Sequence, residues 1–143
     1  MDSKELIKGI QDYLEQGIHS YILEGSDLPE IAFWGDGFTS DILDGSHPMP
    51  ASVTMIQSVN HVPFCDECNV SFAVAIRNDD VDALEKWGNE YGDVIRSLLV
   101  KDCTLGGICV DTNNIVTNMA GASGLMVVVT EFVCSVYGDG YTG

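Results

Sequence analysis

Cys65-Asp66-Glu67-Cys68 is the segment whose residue types and spacing come nearest to a reactive site. Two cysteines separated by two residues supply half of a tetrahedral zinc site, or a redox dithiol. Zinc would need a second pair of ligands. Cys103 and Cys109 are available, with His61 as a further donor, but five residues separate those two cysteines, which is not a knuckle spacing. A redox pair wants its first thiol at a helix start, where the dipole lowers its pKa. Here the motif falls between two strand patterns, and Asp66 and Glu67 would raise a thiol pKa. These features favour a third reading, ordinary cysteines of a hairpin. With Cys134 the count is five, an odd number, and thiols kept reduced in a cytosol are the default.

The remaining polar residues assemble no further motif. His19, His47 and His61 are scattered, with no H-E-x-x-H spacing. Asp36, Asp41 and Asp44 share one loop without matching a calcium-loop pattern. Phosphate-binding glycine loops and a Gly-x-Ser-x-Gly elbow are absent from the sequence, and Gly121-Ala122-Ser123-Gly124 reads as a turn. The expectation is a protein without catalytic residues, cofactor or metal, the zinc or redox domain on Cys65 and Cys68 standing as the alternative. The 143 residues carry 22 acidic against 6 basic side chains, a formal net charge of −16. Such a surface repels nucleic-acid phosphates, so tight DNA or RNA binding is not expected. No apolar run approaches a membrane span, and Met1-Asp2-Ser3-Lys4-Glu5 does not open like a secretory signal, so a soluble, intracellular chain is expected.

The elements that position these residues follow from periodicity. Leu6, Ile7, Ile10, Leu14 and Ile18 form one helical stripe, with Asp2 as cap and Gly17 marking a fraying end. Residues 24–51 read as mostly loop, with a short strand at Ile31-Ala32-Phe33-Trp34. Strands are expected over 52–60 and 69–77. In the second of these Val70, Phe72, Val74 and Ile76 point one way and the small Ser71, Ala73 and Ala75 the other. Asn78-Asp79-Asp80 starts a second helix, and Gly88 and Gly92 fall on one face of it. Glycines inside a helix cost about 1 kcal/mol each against alanine, which close backbone approach would offset. Gly88 and Gly92 are therefore expected over Ala73 and Ala75. The second helix runs out near Lys101-Asp102, Leu105-Gly106-Gly107 turns, and a strand follows over 108–116. Residues 118–124 read as a turn-rich link. The last strand, 125–137, is apolar on both faces, as suits a central strand or one whose second face meets another subunit.

The sum is one α+β domain over residues 1–143: a mixed, mostly antiparallel sheet of four to five strands, two helices packed on one face, a long loop at 35–51 and a loose tail at 138–143. Val94-Ile95-Arg96-Ser97-Leu98-Leu99 leading to Lys101-Asp102-Cys103-Thr104-Leu105-Gly106-Gly107 resembles a joint in phage tail terminator (tail-completion) and related head–tail joining proteins. In these a helix ends in an Asp-x-Thr-Leu-Gly-Gly-like turn before the C-terminal strands. The resemblance implies a homo-oligomeric ring, commonly a hexamer, that caps the tail tube and meets the head connector. Its partners would be its own copies, the tail tube protein and the connector, found in the host cytoplasm during assembly and then in the virion tail. Within that picture the loop residues Asp36, Phe38, Asp41, Ile42, Leu43 and Asp44 are expected at a subunit interface or lining the bore, where acidic groups let DNA slide. Cys65, Cys68 and Cys103 are departures from the pattern.

Overall fold

A computed structural model describes residues 2–137; the tail expected at 138–143 lies outside the described residues. Asp2 caps helix α1 (Ser3–Leu23), its carboxylate accepting from the backbone N–H groups of Lys4 and Glu5 at 2.9 and 3.4 Å. α1 buries Leu6, Ile10, Leu14 and Ile18, the expected stripe. It does not fray at Gly17. A Cβ there would lie 2.5 Å from Leu98 Cδ2, so the glycine is a point of close helix approach. Strand β1 (Phe33–Asp36) pairs parallel with β2 (Ala51–Val62), and between them lies a single 3-10 turn at Thr39–Ile42.

β2 and β3 (Cys65–Arg77) form a hairpin longer than periodicity suggested, because only Pro63 and Phe64 are needed to turn it. A register shift between Ile56 and Ser58 goes with Val59 lying on the helix side, opposite Cys68. Asp80 caps α2 (Val81–Lys101), accepting from Asp82 and Ala83 N–H at 3.0 and 3.3 Å. β4 (Asp111–Ala122) and β5 (Leu125–Val136) close the chain as a second hairpin. Ser123 and Gly124, at φ 54° and 78°, make the turn, so the stretch read as a link over 118–124 is mostly strand.

The sheet order is β1-β2-β3-β5-β4, antiparallel except for β1–β2. This is the expected α+β fold, and β5 is an interior strand. One sheet face carries Val70, Phe72, Val74, Ile76 and Phe132, packed with both helices in the main core. The opposite face carries Ala51, Val53, Ala73 and Ala75, packed with Ile42.

The expectation that Gly88 and Gly92 lie over Ala73 and Ala75 is therefore wrong. Strand alternation turns Ala73 and Ala75 away from the side occupied by Val74 and Ile76. The helices took the side with more apolar area to bury. The glycines do allow close approach, but to the other hairpin: a Cβ on Gly88 would lie 2.3 Å from Met126 Sδ, and one on Gly92 3.2 Å from Thr117 Cγ2. Ala73 and Ala75 are small because Ile42, Met49 and Phe33 pack over them.

Candidate functional site: the joint and the acidic loop

The joint after α2 is built around one carboxylate. Asp102 Oδ1 accepts from the Thr104 backbone N–H at 2.9 Å and from the Thr104 hydroxyl at 2.7 Å, while Oδ2 accepts from Gly106 N–H at 3.0 Å. Hydrogen bonding by the Thr104 hydroxyl, then by the two amides, lowers the Asp102 pKa below its ordinary value. Leu105, Gly106 and Gly107 all have positive φ, at 50°, 78° and 95°. The last two are the residue type that tolerates this. Leu105 accepts the strain because its side chain, 1% exposed, seals the core at the end of α2. The strand expected from Ile108 begins instead at Asp111, since Thr104 O holds the Ile108 and Cys109 amides within the turn.

Helix α1 lies against this joint through Gly9, Tyr13 and Gly17, spaced four apart on one face. A Cβ on Gly9 would lie 2.8 Å from Ile108 Cγ2, and the Tyr13 hydroxyl donates to Leu98 O at 2.5 Å. These contacts were missed from sequence. The signal for them is Gly9 and Gly17, eight residues apart and so near one face of α1.

Asp36, expected in the loop, is instead the last residue of β1, and it meets the loop's Asp41 and Asp44 at one surface. Asp36, Asp41 and Asp44 line one shallow cleft of about 350 Å³ with Ser46, His47 and Phe33. Asp41 Oδ2 accepts from Phe38 N–H at 2.9 Å. Asp44 Oδ1 accepts from the Ser46 hydroxyl at 2.6 Å and its amide at 2.9 Å, and these bonds lower its pKa. The His47 ring stacks on Phe33 with centroids 3.8 Å apart. Of the apolar residues assigned to this surface, Phe38 is 67% exposed and Leu43 is also exposed. Ile42 is not available to a partner: at 1% exposed it is the plug over Ala73 and Ala75. Trp34 likewise turns inward, stacking on Phe72 at 5.7 Å.

Cys65 and Cys68 both lie within β3, three residues apart. That spacing points their side chains to opposite sheet faces and separates them by about 10 Å, too far for a disulfide or a shared ion. Cys68 instead pairs across the ladder with Cys134 and shares the helix-side core with Cys109. The Cys109 thiol donates to Cys103 O at 3.4 Å, and the Thr112 hydroxyl donates to the same carbonyl at 2.9 Å. Burial, then the nearby Asp66, pushes the Cys68 thiol pKa up. Among the described residues no group of three or more His, Cys, Asp or Glu is arranged to hold a metal ion. Among the same residues no helix is long and apolar enough to cross a membrane. The chain matches no family model and no curated protein.

Proposed function

We propose that this chain is a structural protein of a phage or prophage tail, a ring-forming terminator that caps the tail tube and joins it to the head connector. The observation that carries the reading is the joint: a long helix ending at Asp102, whose carboxylate ties up Thr104 and Gly106 before a Leu-Gly-Gly turn into the C-terminal hairpin. The acidic loop supports it. Three aspartates gathered at one cleft, on a chain of net charge −16, make a surface that DNA phosphates pass without sticking. The exposed Phe38 and Leu43 beside them supply apolar contacts for a neighbouring subunit. The partners are further copies of the chain, the tube protein and the connector.

The test is co-expression with the cognate tail tube protein, read by negative-stain microscopy. Tubes of uniform length with a ring at one end are expected. Tubes that outgrow their normal length despite a stoichiometric amount of this protein would overturn the reading.

A further inference from the structure

From Thr112 to Thr130 there is no ionisable side chain, a run of 19 residues in a chain where one residue in five is charged. That run contains most of β4, the last strand of the sheet, and among the described residues no strand pairs with its outer side. Edge strands are normally guarded by charges, proline or a bulge, because their free N–H and C=O groups invite another strand. β4 has a guard only at its start. The register breaks between Asn113 and Val116, Asn114 has φ 54°, and Arg96 Nη1 reaches Ile115 O at 3.5 Å. From Val116 to Ala122 the ladder is regular and the sequence has neither charge nor proline.

The turn geometry fixes which backbone groups face outward. In a two-residue hairpin with positive φ at both loop positions, the flanking residues exchange both backbone hydrogen bonds. Here those are Ala122 and Leu125. Bonded pairs then recur at alternate positions, Ala120 with Val127, Asn118 with Val129 and Val116 with Glu131. The N–H and C=O groups of Thr117, Met119 and Gly121 consequently point away from β5.

We propose that Val116–Ala122 pairs antiparallel with the same segment of a second copy of this chain, across a two-fold axis at Met119, joining two five-stranded sheets into one. A free strand edge is completed by a strand. Two copies at net charge −16 repel wherever their acids face, and this is a long segment where neither presents any. Self-pairing matches segments of equal length and sets Thr117 opposite Gly121 and Met119 opposite Met119. It also covers Val116 and Met119, 54% and 45% exposed. A basic peptide would be drawn to the acidic surfaces instead. The contact is isologous and closes at two copies. It describes the free protein and does not rest on the tail reading.

The experiment uses the full chain at about 150 mM salt, over a concentration series, with light scattering and amide exchange in parallel. The mass is expected to rise with concentration from 15.4 kDa towards about twice that value. The Thr117, Met119 and Gly121 amides are expected to exchange more slowly as it does. Met119→Pro removes an outward N–H without touching the β4–β5 ladder, and is expected to be monomeric with unchanged circular dichroism. Asn118→Asp, which brings like charges together across the axis, is expected to weaken the dimer more at low salt than at high salt. That variant carries the test if the proline variant does not fold. A monomer at every concentration would overturn the proposal. So would an oligomer in which those three amides exchange at the monomer rate, or a monomer in which they are already protected.

Discussion

Asp102 does more for the joint than any other side chain, because it makes three hydrogen bonds at the point where α2 stops. A carboxylate whose folded pKa is lowered contributes stability above its unfolded pKa, and that contribution is lost as pH falls through the folded value. Asp102→Ala should therefore melt below the wild type at pH 7, and the gap should narrow as pH drops below about 4, the ordinary carboxylate range. Thermal melts of both proteins across that range test this, and a gap independent of pH would count against it. At this scale much was legible. The Leu105-Gly106-Gly107 turn after a helix ending near Asp102 is legible as a pattern, whereas the three hydrogen bonds that Asp102 makes are not. The positive φ of Leu105 is not legible, because the reward for it is burial in a core that both helices and the sheet assemble.

The elements show why faces are harder to assign than periods. Both helices follow from repeats within short windows, and apolar residues on both faces of β5 suit the interior place it takes. Which face of β3 the helices would take depended on the area buried by several strands together, so Ala73 and Ala75 were given to the wrong layer. The layer they belong to is thin. The loop over 37–50 inserts Ile42 into it as its one fully buried side chain of the 3-10 turn, with Met49 and Phe33 beside it. Ile42→Ala should cost about 2–5 kcal/mol if the loop cannot close over the void, as for other large-to-small core substitutions. Denaturant unfolding measures the cost, and limited proteolysis should show new cleavage within 37–50. Loss of stability without new cleavage there would mean that the loop is held by other contacts. The cysteines make the same point about faces. Their two-residue spacing is legible as a motif, but β3 starts at Cys65 rather than at residue 69, which puts both cysteines in one strand.

At the scale of the whole molecule, a chain with 22 acidic residues folds into a sheet whose second face is covered mainly by one loop. Like charges held in a compact body repel one another more than they do in the unfolded chain, and salt screens them. The melting temperature should rise between about 20 mM and 500 mM sodium chloride, the range over which the screening length falls several-fold. A flat or falling curve would mean that the few basic residues already neutralise the acids locally. The loop that carries Asp41 and Asp44 has a second consequence, for engineering. It is anchored at Ile42 and again where Pro50 O accepts from Ala32 and Phe33. Between those anchors Gly45 has open space around it, with φ 80°. Chain length between Leu43 and Met49 is thus decoupled from the register of every strand, which makes the bond after Gly45 the natural seat for an epitope tag or fluorophore that reports on the cleft without disturbing the sheet.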